Sequence, residues 1–238
     1  MSLPPGPHIE TAADACPLVL VCFAVPSEAR RFAQPVQPAA DILITGMGLH
    51  RASTSIDQYL ARHRPALVLS CGFAGGLNPA HARGGVLFED AHAGPFQAAL
   101  ARCGAVRGRF VHSDRVLVTA VEKERLFQAS GGDAVEMESS GIVAVCRTAR
   151  VPVGILRVIS DTATEDLPID FNRFCREDGS LSLPRLLWGL GRSPGVIPEL
   201  VRFEERLRHA AGQLADTLQR FLAQINPSGS SKPTSNEP

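Results

Sequence analysis

Val153-Gly-Ile-Leu-Arg-Val-Ile-Ser160, followed at once by Asp161, reads as a strongly apolar strand that ends on two polar side chains. An apolar run of this length, rich in β-branched residues and free of polar alternation, fits a strand buried on both faces. Working outward, Leu18-Val-Leu-Val-Cys-Phe-Ala24 and Ala66-Leu-Val-Leu-Ser-Cys71 have the same character, and Asp41-Ile-Leu-Ile-Thr45 forms another strand ended by Gly46-Met-Gly48. Gly85–His92 and Gly108–His112 are weaker strands. Between the strands lie helical patterns over 50–63, with Ala52, Ile56, Tyr59 and Leu60 on one face, over 120–129, opened by the capping-box pair Thr119 and Glu122, and over Ser139–Ala149. Strand–helix alternation with near-continuous apolar strands predicts an α/β protein: three layers, α/β/α, around a central, mainly parallel mixed sheet.

The chain has 238 residues, 24 Lys+Arg against 24 Asp+Glu, and 45% hydrophobic residues. Zero formal charge argues against field-driven nucleic-acid binding, and the composition can fill a core. The run Leu18–Val25 is too short to span a membrane, and Met1–Asp14 has no basic-then-apolar leader pattern, so a cytoplasmic protein is expected. Cys16, Cys22, Cys71, Cys103, Cys146 and Cys175 form no CxxC pair and fit reduced, buried thiols; seven scattered histidines give no ligand spacing, and no metal is expected. Residues 1–15 and 226–238 read as disordered tails around one domain, 16–225. Its C-terminal helices are expected from about residue 183: an apolar stretch Leu183–Leu190 with Trp188, a break at Pro194-Gly195, then Leu200, Phe203, Leu207, Ala211, Leu214, Leu218 and Phe221 at helical spacing. That amphipathic helix suits docking on the domain or on a second copy; contact with a lipid surface or a hydrophobic substrate is the alternative.

Familiar chemical templates fail. Gly46-Met-Gly48 has Arg51 where a dinucleotide fingerprint needs its third glycine, and neither GxxxxGK[ST] nor GxSxG occurs. Four polar points remain, each at a strand end: Glu28, the Gly72–Gly76 loop, Glu136-Met137-Glu138, and Ser160-Asp161. In open α/β sheets ligands bind at the carboxyl ends of strands. Glycines there let backbone N–H groups approach a ligand, and carboxylates from separate segments can divide acid and base roles.

Five segments, in order over roughly residues 18–172, resemble the family of purine nucleoside phosphorylases and adenosyl-nucleosidases: Phe23-Ala-Val-Pro-Ser-Glu-Ala29, Thr45-Gly-Met-Gly48, Cys71-Gly-Phe-Ala-Gly-Gly-Leu77, Val135-Glu-Met-Glu138 and Arg157-Val-Ile-Ser-Asp161. Asp166-Leu-Pro, the Asp178-Gly turn and Arg192-Ser-Pro-Gly-Val-Ile-Pro-Glu-Leu200 are similar to a subfamily of hopanoid-biosynthesis phosphorylases, thought to remove adenine from adenosylhopane. The resemblance implies the nucleoside phosphorylase-like fold and cleavage of the N-ribosyl bond of a purine nucleoside, adenine in particular, in a homo-oligomer. It needs no cofactor beyond phosphate as a co-substrate where phosphate replaces water. It places Asp161 at purine N7 as the acid with Ser160 beside it. Glu138 then falls on the ribose hydroxyls, Met137 under the sugar, Glu136 next to this site, and Glu28 where the nucleosidases position and deprotonate a water. Gly48, Gly72 and Phe73 fall in its ligand-facing turns. Arg157 meets an anion or serves as a structural ion-pair partner. An acid role requires Asp161 to hold or receive a proton near neutral pH, through burial or a neighbouring carboxylate.

The departures carry information. Phe73 stands where the family has a phosphate-binding Ser, and only Arg30 and Arg31 follow Glu28, which favours water; subfamily precedent favours phosphate. Val116 and Leu117 replace an adenine-stacking Phe. The 76–114 segment is shorter than in the nucleosidases, which opens the 5′ side. Two alternatives stand beside this reading: a non-catalytic nucleoside- or lipid-binding relative, and a nucleosidase for another nucleoside such as futalosine.

Overall fold

The computed structural model describes residues 19–32, 40–174 and 194–225. Readings that fall on the two tails, Cys16, Cys175, the Asp178-Gly turn, Leu183–Leu190 with Trp188, and Arg192 lie outside the described residues.

Among the described residues, eight strands build the sheet: β1 (Val19–Phe23), β2 (Ala40–Ile44), β3 (Leu67–Gly76), β4 (Val86–His92), β5 (Val106–Arg107), β6 (Phe110–His112), β7 (Ala134–Glu136) and β8 (Val153–Asp161). The order is β2-β1-β3-β8-β4-β5, with β7 joined to β3 and β6 to β7. β1 pairs parallel with β2 and β3, and β3 with β8, whereas β4 runs antiparallel to β8. This is the mixed, mainly parallel sheet expected from the strand patterns.

Period-two alternation produces the layers. In β1, Val19, Val21 and Phe23 face one core and Leu20 and Cys22 the other. The first core is closed by α1 (Pro26–Ala29), α3 (Gln97–Arg102) and α6 (Ile197–Ile225), whose Ala210, Leu214, Leu218 and Phe221 are buried there. The second is closed by α2 (Leu49–Leu60) and α5 (Ser139–Ala149) through Ala52, Ile56, Ile142 and Cys146. Gly141 lets α2 and α5 approach closely, since a Cβ there would meet Ser53 Oγ and the Leu49 carbonyl. Among the described residues, no helix is long and apolar enough to cross a membrane. Cys22, Cys71, Cys103 and Cys146 are free and buried.

Two expectations need correction. The glycine-rich stretch Gly72–Gly76 is not a loop: β3 runs through to Gly76, pairing with β8 across a register shift at Ala74/Gly75 and then antiparallel with β7. β8 on one side, and on the other the Glu28 carboxylate at Phe73 and β7 at Gly75 and Gly76, take up its backbone groups, so the glycines do not end the strand. Likewise, the strand expected over Gly108–His112 is the shorter β6, Phe110–His112, and a separate two-residue strand, β5, precedes the expected span on a different neighbour. The capping box at Thr119 and Glu122 is formed and opens α4 (Ala120–Ser130), which Gly131 closes in the left-handed conformation at φ 62°.

Candidate active site

The carboxyl ends of β1, β3, β7 and β8 surround one cavity of about 270 Å³. Glu28 enters it from α1. Its Oε2 accepts the Ala24 (2.9 Å) and Val25 (3.2 Å) N–H groups, and its Oε1 accepts the Phe73 N–H (3.0 Å). The carboxylate is thus fixed between the first helix and the glycine-rich strand. Burial pushes its pKa up, against the pull of Arg157. Gly72 is required behind it: at φ +154° a Cβ would collide with Arg157 Nη1 and Glu28 Oε1.

Glu136 and Glu138 divide their work. Glu136 Oε2 accepts the Glu138 (3.0 Å) and Ser139 (2.7 Å) N–H groups at the start of α5 and pairs with Arg157 Nη2 at 2.7 Å. Glu138 Oε1 accepts the Gly48 N–H at 2.9 Å, which ties α5 to the turn before α2, and its Oε2 lies 3.6 Å from Arg157. Burial raises the Glu138 pKa, again opposed by Arg157. Arg157 is 1% exposed and also donates to the Cys71 carbonyl, Ser70 Oγ and Ser139 Oγ. It therefore neutralises three buried carboxylates from behind the cavity rather than lining it.

At the end of β8, Ser160 Oγ lies 2.5 Å from Asp161 Oδ1, and Asp161 Oδ2 lies 2.5 Å from Lys123 Nζ. The charged group beside Asp161 is a buried ammonium, not the carboxylate considered as one route to a protonated acid. Lys123 is fully buried on α4 and also donates to the carbonyl oxygens of Thr162 (2.9 Å) and Glu165 (2.7 Å).

Glu28, Phe73, Val116, Leu117, Glu136, Met137, Glu138, Ser160 and Asp161 all line the cavity; Gly48, Gly72 and Arg157 back it. Sequence reasoning missed Arg115, and Lys123 against Asp161; it held Met47 and Gly75 only as parts of the two glycine-rich segments, and Phe203 and Leu207 only on a helix for which a hydrophobic substrate was one alternative, whereas they join Leu167 and Phe171 in an apolar wall of the cavity. Phe203 and Leu207 come from α6. Their helical spacing was visible, but periodicity does not say whether a face meets the core or a cavity. Phe203 packs on Phe171 with ring centroids 5.8 Å apart. The wall is aligned by the Asp166 segment: Asp166 Oδ1 accepts the Ala120 N–H at the start of α4, and Leu167 N–H donates to the Val118 carbonyl. Among the described residues, no group of three or more His, Cys, Asp or Glu side chains could hold a metal ion.

Comparison with known proteins agrees with this architecture. The fold is α/β and nucleoside phosphorylase-like: the chain superimposes on futalosine hydrolase of Helicobacter pylori with a TM-score of 0.63 at 16% identity, covering 87% of this chain and 97% of that one. It superimposes on 5′-methylthioadenosine/S-adenosylhomocysteine nucleosidase of the same organism with a TM-score of 0.65 at 16% identity, covering 88% and 99%. In sequence, residues 96–190 match the profile of the Phosphorylase superfamily. The chain is 35% identical over 80 residues to 5′-methylthioadenosine/S-adenosylhomocysteine nucleosidase of Mycobacterium bovis, which is 34% of this chain and 31% of that protein. It is 31% identical over 75 residues to aminodeoxyfutalosine nucleosidase of Campylobacter jejuni, 32% of this chain and 33% of that protein. The matched stretch thus spans about a third of the length of these curated relatives.

Proposed function

We propose that the chain is an N-ribosyl hydrolase of the phosphorylase superfamily that releases the base, adenine in particular, from a purine nucleoside. The observation that carries this reading is the convergence of Asp161, Glu138 and Glu28, from three separate segments, on one cavity. Rupture of the C1′–N9 bond leaves positive charge on the sugar and sends an electron pair into the purine. An acid at N7 and a carboxylate near the sugar both lower that barrier. Asp161 takes the N7 role, with Ser160 fixing its second oxygen. Glu138 accepts the ribose hydroxyls, with Met137 beneath the sugar. Glu28 takes the proton of the attacking water; its raised pKa suits a base working near neutral pH.

Water is favoured over phosphate as acceptor. Phe73 offers no hydroxyl, and its N–H is already given to Glu28. Arg157 is surrounded by Glu28, Glu136 and Glu138, and the cavity-lining Arg115 pairs with Glu122 at 2.7 Å. Among the described residues that line or back the cavity, a phosphate dianion would meet buried carboxylates and arginines already paired with carboxylates. The wall of Leu167, Phe171, Phe203 and Leu207 supports an apolar 5′ substituent, and adenosylhopane is the finer proposal for it. A homo-oligomer and peripheral contact with a membrane surface remain part of the proposal.

The test is chromatographic detection of free base from adenosine, 5′-alkyl adenosines, inosine and futalosine, with and without phosphate. Phosphate-independent adenine release that is lost in Asp161→Asn supports the reading. Tight adenosine binding without turnover refutes it in favour of a binding protein, and release from futalosine alone refutes the adenosine assignment.

A further inference from the structure

The chain contains two lysines, Lys123 and Lys232, among 24 basic residues. Almost every other cation is an arginine, whose guanidinium cannot give up a proton in a protein, whereas a lysine ammonium can. One of the two lysines is the fully buried cation in contact with Asp161. Three acceptors surround its nitrogen: Asp161 Oδ2, the Thr162 carbonyl and the Glu165 carbonyl. An ammonium has three N–H donors, so all are used. After loss of one proton to Asp161, the two remaining N–H groups still match the two carbonyls, and the lone pair faces the Asp161 carboxyl. Both arrangements are hydrogen-bonded throughout and carry the same net charge, and a dry site does not penalise the uncharged pair as it does an ion pair. The Glu165 carboxylate faces away, toward Arg83, Arg206 and the Thr162 N–H, and leaves the Lys123 nitrogen to Asp161.

We propose that Lys123 is the positioning residue that supplies, through Asp161, the proton taken up by the departing purine. The inference rests on the nucleosidase reading above. As the C1′–N9 bond breaks, its electron pair enters the ring, one proton passes from Asp161 to N7, and one passes from Lys123 Nζ to Asp161. Lys123 is left as an amine held by Thr162 and Glu165. The water that adds at C1′ gives its proton to Glu28, and exchange with solvent returns one to Lys123, so the cycle closes.

Lys123→Arg and Lys123→Gln test it, with adenosine and 4-nitrophenyl riboside as substrates. The phenolate of the second leaves without needing a proton. Arg keeps the charge without a transferable proton, and Gln keeps donor capacity without the charge. Both variants are expected to lose about 10²–10⁴-fold in kcat on adenosine with little change in KM, while the nitrophenyl substrate is spared. Wild-type kcat in Lys123→Arg, or equal loss on both substrates, overturns the proposal in favour of a purely electrostatic or structural role. A wild-type protein that releases no base refutes the nucleosidase reading instead. Should the variants not fold, wild-type protein with ¹⁵N at the lysine side-chain nitrogen decides. With two lysines the spectrum is simple: the pH at which the Lys123 signal moves to the amine position should coincide with the alkaline fall of kcat on adenosine, a fall the nitrophenyl substrate does not share; separate midpoints, or the same fall on both substrates, overturn the proposal.

Discussion

Replacing Arg157 with Met should destabilise the protein by about 3–5 kcal/mol at neutral pH, because it removes one partner of a buried charge cluster and leaves the others uncompensated. Arg157 is 1% exposed and sits 2.7 Å from Glu136 and 3.6 Å from Glu138, and its charge also bears on Glu28. Methionine fills much of the volume, so the loss is electrostatic rather than a cavity. For a chain of this size that corresponds to a fall in Tm on the order of 6–20 °C. The sign with pH follows from the shifts. Arg157 lowers the pKa values of Glu28 and Glu138, which burial raises. Without it both rise further, so the variant's native state still holds protons that the wild type has lost, and the deficit grows as pH rises above the already raised wild-type values and shrinks on acidification. Urea unfolding at pH 5 and pH 8, for Arg157→Met alone and combined with Glu136→Gln, measures both effects. The double variant should be less destabilised than the sum of the singles. A deficit below about 1 kcal/mol, or strict additivity, would refute the claim that Arg157 neutralises this cluster.

Glu28→Gln is expected to lose about 10²–10⁴-fold in kcat while gaining stability at pH 8, a gain that fades as pH falls toward 4.5, where the wild-type carboxyl is protonated too; parallel rate and melting measurements check both. Phe203→Ala, on the apolar wall, should lower kcat/KM for a 5′-alkyl adenosine about tenfold or more relative to adenosine; equal effects on both would separate the wall from the 5′ group. Glu122→Ala removes an acceptor of the Val118 and Thr119 N–H groups and the partner of Arg115, which hold the Glu122 pKa down to about 2. It should cost about 0.5–2 kcal/mol at neutral pH, and the difference from wild type should vanish as pH falls from 4.5 through 2; denaturant titrations read it.

The sheet was legible in the sequence because β1, β3 and β8 are buried on both faces and so read as unbroken apolar runs. Gly72–Gly76 was misread because glycines carry no period, and only neighbours on both sides show that the segment remains a strand. The helix Gln97–Arg102 escaped notice because six residues give less than two turns of pattern. The acids were visible as polar residues at strand ends, since topology gathers strand ends. Lys123 was not, because it lies in the first turn of a helix and its partner is 38 positions away in the chain; its rarity as a lysine was the available signal. The correction beside Asp161 has the same origin: sequence places a carboxyl after a strand but does not say which sign of charge lies against it.

The central claim is that a purine nucleoside lies in this cavity with its base on Asp161 and its sugar on Glu138. A crystal structure with 9-deazaadenosine, whose carbon–carbon glycosidic bond cannot be hydrolysed, tests it most directly. The account predicts hydrogen-bond contact between Asp161 and the N7 edge, ribose hydroxyls on Glu138, and the 5′ carbon directed at Phe203 and Leu207. A nucleoside bound elsewhere, or seated with its base on Glu138 and its sugar on Asp161, would contradict it.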